Sequence, residues 1–219
     1  MKRLPRRLLQ HHLPLLIASG GSVLLLYFTR SYADVLSRLS FATAYPALFL
    51  LVATLAIGPW DVLRGKLRGG RLPVSSDLRR DVGIWAGILG FVHAVVGQNV
   101  HLRGRPWLYY VYEPKHAPTF PVRHDLFGVA NYTGLIATLV LLALLATSND
   151  YSLRKLGTPG WKRLQQWNYL IFVLTGVHVL GYQKIETQKQ GWVLSVIFGL
   201  AIALVMQAVG FFRRRAVAR

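Results

Sequence analysis

Two histidines, His93 and His178, stand alone inside apolar stretches, GILGFVHAVVG and LIFVLTGVHVLGY, each long enough to belong to a membrane span. An ionisable side chain at membrane depth is costly unless something pairs with it, so each is a candidate for function. Imidazole is the commonest metal-ligating side chain and a frequent axial ligand of haem iron. Two such residues on neighbouring helices would grip a haem from both faces. The plainer alternative is a pair of packing histidines hydrogen-bonded across a helix bundle.

The elements that must carry these residues follow from composition. Apolar residues make up 53% of the 219, charged residues 16%, and the mean hydropathy is +0.37, which marks an integral membrane protein. Six stretches approach or reach the roughly 20 helical residues that cross a hydrocarbon core: Leu13–Phe28, Thr43–Val62, Val82–Val100, Leu126–Ala146, Leu164–Tyr182 and Trp192–Phe212. They show no period-two alternation, as barrel strands would. The expectation is an all-α membrane protein, a six-helix bundle forming a single transmembrane domain over residues 1–219. The remaining loops leave no room for a soluble domain, so any large partner is a separate chain.

The formal net charge of +18 invites a nucleic-acid reading, but the placement of the charges argues against it. The N-terminal KRLPRR, the stretch Arg64–Arg80, the stretch Arg154–Arg163 and the C-terminal arginines hold 18 of the 26 basic residues, in alternate inter-span segments. This is the positive-inside pattern, which puts both termini in the cytoplasm and basic side chains among lipid headgroups. The basic start followed by an apolar run also has the form of a signal peptide; an uncleaved first span is expected. Cysteine is absent, which excludes a thiolate metal site or an iron–sulfur cluster held by this chain. No phosphate loop, dinucleotide fingerprint or paired carboxylates occur. The eight acids fall in loops or at span ends, which weakens a proton-coupled transporter reading.

With six spans, the third and fifth run parallel. From Arg80 to His93 is about 20 Å of helix and from Arg163 to His178 about 22 Å, so the two imidazoles lie at one level in the outer half of the membrane.

The segment LRRDVGIWAGILGFVH, followed by ATSNDYSLRKLGTPGWKRLQQWNYLIFVLTGVHVLGYQK, resembles the ferric-reductase-like transmembrane domain, and most of all the MsrQ (YedZ) family. The likeness covers the second to fifth spans. It implies a six-helix b-type cytochrome of a bacterial inner membrane with His93 and His178 as axial haem ligands. Such a protein takes electrons on the cytoplasmic side from quinol or reduced flavin. It passes them to a redox partner on the outer side, in that family a periplasmic molybdenum enzyme that repairs oxidised methionines.

One departure stands out. Where the family carries a second, inner histidine on the fifth span, this chain has Gln165, and the matching inner place on the third span is Arg79. Neither is a usual haem ligand, so one haem b per chain is expected. The inner space would be filled by side chains such as Trp85, Trp161 and Trp167, by lipid, or by FMN or a quinone held by Arg79, Arg80, Lys162 and Arg163.

His101, two turns beyond His93, and His124, before the fourth span, are secondary ligand candidates at the outer surface. The loop from Arg105 to Glu113 is dense in aromatics, as an interfacial belt or a docking surface would be. His11, His12 and His116 read as solvated. Two functions follow: an electron-transfer cytochrome subunit, or a haem-bearing accessory subunit of a larger respiratory or photosynthetic complex.

Overall fold

The computed structural model describes residues 7–30, 32, 34–65, 77–113 and 121–217. The Gly69-Gly70 loop, His116 and Arg219 lie outside the described residues. A π-helical turn, Leu8–His12, leads into α1 (Leu13–Thr29). There follow α2 (Val35–Leu63), α3 (Asp77–Gly97), α4 (Leu126–Ala146), α5 (Asp150–Gln165), α6 (Asn168–Ile185) and α7 (Gln190–Val217). Five helices, α1 (with its leading turn), α2, α3, α4 and α7, are long and apolar enough to cross a membrane. The sixth, α6, is as long as a thin bilayer requires but more polar, because it carries Asn168, His178 and Gln183. The protein is an all-α, multi-pass membrane protein.

Helix α2 is the most buried of these elements and packs against α1, α3 and α7. Its start lies eight residues before the expected Thr43, because the Asp34 side chain accepts from Ser37 N at 2.8 Å and caps the first turn. Pro59 sits inside α2 and has no N–H to give the carbonyl of Leu55. Gln207 of α7 donates Nε2 to that carbonyl at 2.6 Å, so no bare acceptor is left in the bilayer. The helices close up at the same place: a Cβ on Gly210 would lie 2.8 Å from Pro59 Cβ. Helix α3 faces α2 and α4 with small residues, and a Cβ on Gly90 would lie 2.8 Å from Leu141. Helix α6 packs chiefly on α4. By contrast α1 is peripheral, with Leu16, Ile17, Leu24, Leu25 and Phe28 exposed to the surrounding lipid.

The basic stretch around Arg154–Arg163 is helical, where the sequence suggested a loop. Asn149 caps α5 by accepting from Ser152 N at 2.8 Å, and Gly157 breaks its axis at φ 65°, a left-handed conformation. Its polar and apolar residues segregate to two faces, as in helices that lie along a membrane surface. Buried Trp161 fastens it by donating Nε1 to Thr147 O at 3.1 Å. The chain turns at Gln166-Trp167 before α6 begins, so the expected span Leu164–Tyr182 starts later and runs on to Ile185.

Candidate haem-binding site

His93 on α3 and His178 on α6 come together, their ring centres 6.1 Å apart and their planes at 75°. Each ring is held by a backbone carbonyl. His93 Nδ1 lies 3.0 Å from Ser40 O of α2, and His178 Nδ1 lies 2.8 Å from Ala130 O of α4. A carbonyl can only accept, so each Nδ1 carries the proton and each Nε2 keeps its lone pair. This is the tautomer a metal-ligating histidine needs, fixed by a partner outside the coordination sphere. The position of His178 depends on Gly134: a Cβ there would lie 2.6 Å from Nδ1 and 2.9 Å from Cε1.

Two metal–nitrogen bonds of about 2 Å, with about 1.1 Å from each nitrogen to its ring centre, put the centres of two axial imidazoles about 6 Å apart. The observed 6.1 Å meets that spacing. Among the described residues no three His, Asp or Glu side chains gather as a metal-ligand cluster. A bare ion would be poorly held, whereas a porphyrin brings four nitrogens and needs two axial ligands. The imidazoles line a cavity of about 260 Å³ whose walls are largely small or apolar, including Ala44, Ala86, Gly90, Ala137 and Ile171. The residues present therefore fit a haem.

At one end of the cavity lies an aromatic cluster with Tyr32, Phe41, Tyr45 and Trp192; this is called the aromatic end. His101 lies here too, beyond the end of α3. Its backbone N–H donates to the buried Tyr109 hydroxyl at 2.8 Å, its Nε2 is 3.1 Å from Glu186 Oε1, and its ring stacks on Tyr182. The hydrogen bond from His101 holds the Glu186 carboxyl below the usual carboxylate range. Burial pushes the Tyr109 and Tyr110 hydroxyls up. The structure places His124 apart, exposed and edge-on to Tyr112.

The opposite, basic end collects the other candidates but separates them. Arg79 extends between helices, its Nη1 3.3 Å from where a Gly58 Cβ would be, within the field of Asp61, Tyr169 and Arg214. Arg80 turns the other way, to Asp150 Oδ1 at 2.5 Å, and holds that carboxyl below the usual range. Lys162 and Arg163 lie on α5, half-buried and exposed. Gln165 ends α5 and accepts from Asn168 Nδ2 at 3.3 Å. Of the three tryptophans, Trp161 ties α5 to α4, Trp167 is exposed, and Trp85 donates to His12.

His11 and His12 were expected to be solvated and are not. The fully buried carboxylate of Asp81 is paired with Arg7, with His11 Nδ1 at 2.7 Å and with His12 Nε2 at 3.3 Å. The signal was faint: an acid one turn into a span, and a basic segment about seventy residues away that only the fold brings to it.

No family model and no solved structure matches the chain. It is 30% identical over 149 residues to the protein-methionine-sulfoxide reductase heme-binding subunit MsrQ of Yersinia pseudotuberculosis serotype O:1b (strain IP 31758), covering 68% of this chain and 64% of the relative. The same subunit of Yersinia pestis (strain Pestoides F) is also 30% identical over 149 residues, covering 68% and 63%. The match thus spans just under two thirds of the length of these relatives. With two histidines facing each other across a cavity, this chain is a relative of the MsrQ haem-binding subunits whose motifs its sequence resembles.

Proposed function

We propose that this chain is a b-type cytochrome subunit that holds one haem between His93 and His178 and carries electrons across the membrane. The observation that supports this reading most strongly is the pair of imidazoles at 6.1 Å, each with its proton committed to a backbone carbonyl. A haem held by two imidazoles supplies one-electron transfer with no open coordination position. Around it the chain's own residues exclude water and fix the ligand tautomers. The basic end faces the cytoplasm by the distribution of its charges, so both termini lie there. A flavin or quinone that donates electrons at that end would meet Lys162 and Arg163 on α5, since Arg80 is turned to Asp150 and Arg79 lies between helices. Electrons leave at the aromatic end, in the outer half of the membrane. The acceptor is a separate redox partner, which by the names of the relatives is a protein-methionine-sulfoxide reductase.

The test is a pyridine-haemochrome assay with protein quantitation on the purified chain. The expected ratio is one haem per chain, and His93→Ala or His178→Ala each removes the low-spin spectrum while His101→Ala and His124→Ala leave it intact. A ratio of two, or a spectrum that survives loss of His93, would overturn the assignment.

A further inference from the structure

The cavity around His93 and His178 has two unlike ends. Its deep end is walled by Leu48, Leu51, Ala86, Leu141 and Ile171, none of which can hydrogen-bond through its side chain. Its mouth is lined by Tyr32, Tyr45, Gln183 and Gln188, among other polar residues.

The hydrogen bonds at the mouth do not close on themselves. The Tyr32 hydroxyl accepts twice, from Arg30 Nη2 at 3.1 Å and from Gln188 Nε2 at 3.0 Å. Its own proton has no acceptor among the described residues. Tyr45 accepts from Gln183 Nε2 at 2.9 Å and likewise has nowhere to place its proton, while Gln183 Oε1 is buried without a partner. Turning the Gln183 amide over lets Tyr45 donate to Oε1 and frees an Nε2 proton instead. In either orientation this pair offers a spare donor. Behind Tyr32, the Arg30 guanidinium lies over the rings of Phe41 at 4.3 Å, Tyr32 at 5.2 Å and Trp192 at 5.2 Å. Its Nη2 also donates to Gln188 Oε1 at 2.6 Å, and its Nε is buried with no partner. Two spare donors beside a stacked cation suit an acceptor that carries negative charge, since hydrogen bonds to a charged group are the stronger ones.

We propose that this mouth is a carboxylate subsite in which Tyr32, backed by Arg30 and Gln188, and the Tyr45–Gln183 pair receive the two propionates of the haem. This rests on the haem reading above. It fixes which edge of the ring faces the mouth, because the deep end offers a propionate no cation and, beyond the hydroxyls of Thr138 and Thr175, only apolar side chains to offset its lost hydration. A lipid phosphate is the other anion that Arg30, at the end of α1, is placed to meet.

The test uses the chain produced without haem, in detergent or lipid discs, titrated with protohaem and with its dimethyl ester and followed by the low-spin spectrum. The free acid is expected to bind about tenfold more tightly, the worth of a hydrogen bond to a charged group. Tyr32→Phe with Tyr45→Phe, and separately Arg30→Met, should bring the ratio close to one by weakening the acid alone, and Arg30→Lys should restore part of it. Equal binding of acid and ester by the unaltered chain would overturn the subsite and leave the haem reading standing; this arm needs no variant to fold. Binding of neither would overturn both. An Arg30→Met chain that keeps the preference but loses a melting shift on adding phosphatidylglycerol would assign Arg30 to a headgroup and overturn the proposal.

Discussion

The two ends of this bundle are both polar, yet only one of them gathers its unpaired donors around a cavity. At the basic end the carboxylates are matched within the chain, Asp81 by Arg7, His11 and His12, and Asp150 by Arg80, and the atoms left buried without a partner, Arg80 Nε and Gln165 Nε2, border no shared cavity. Arg79 is tucked against the bare backbone of Gly58. At the aromatic end, the Nε2 atoms of His93 and His178 and the protons of Tyr32 and Tyr45 have no protein partner among the described residues. Buried polar groups are nearly always satisfied, so a cluster of unsatisfied ones marks where something else binds.

The largest test of this contrast is at Gly134. Gly134→Val puts carbon within 3 Å of the His178 ring and cannot be accommodated without moving it. Haem content is expected to fall to about a tenth or less of the unaltered chain, since displacing an axial ligand by even an ångström breaks a metal bond of about 2 Å. Gly160→Ala on α5, where a Cβ meets only Leu156 at 3.5 Å, should keep full occupancy and serves as the comparison.

A second test asks whether the basic end lacks only ligands. Arg79→His with Gln165→His supplies two imidazoles at the places where the resemblance noted in the sequence implies an inner pair. The cavity stops at Ala86, Leu51 and Ile171 and does not reach either position. The haem-to-protein ratio is therefore expected to stay at one; a ratio of two would show that ligand identity alone distinguishes the ends.

Asp81→Asn probes the basic end as structure. Loss of the buried carboxylate leaves Arg7 without its main partner and is expected to cost about 2 kcal/mol in stability, with the haem spectrum unchanged. Thermal melts followed at the haem band and by circular dichroism would show it.

The smallest effect belongs to Glu186. Its carboxyl titrates lower in the folded chain than unfolded, so the stabilisation is present above the ordinary carboxylate range and disappears as pH falls through the lowered value. Because the pair with His101 is partly exposed, it is worth less than about 1 kcal/mol. Glu186→Gln should melt slightly below the unaltered chain at neutral pH, and the gap should close in acid.

His93 and His178 were legible in the sequence because an imidazole isolated in an apolar run is too costly to keep without a ligand or a bonding partner. Their carbonyl partners were not, since Ser40 and Ala130 contribute backbone that no side-chain pattern announces. The Asp81 clamp was hidden for a related reason: its two halves lie far apart in the chain, and each alone looks solvated. Helix α5 was missed because the stretch from Arg154 to Arg163 was read only for its basic charge, although Asn149 followed by Ser152 was a usable start signal. Nothing in the last span alone marks Gln207 as the partner of Leu55 O, because the need for it arises at Pro59 on another helix.

The committed Nδ1 protons of His93 and His178 also bear on bioenergetics. With each Nδ1 proton given to a carbonyl, a haem held between the two rings as proposed would be reduced with no proton taken up on either ligand. The charge of the ligated metal would then change by one unit inside the hydrocarbon. The redox equilibrium of the chain is expected to lean with membrane voltage, by the fraction of about 2.3 kcal/mol per 100 mV that the electrical depth of the pair sets.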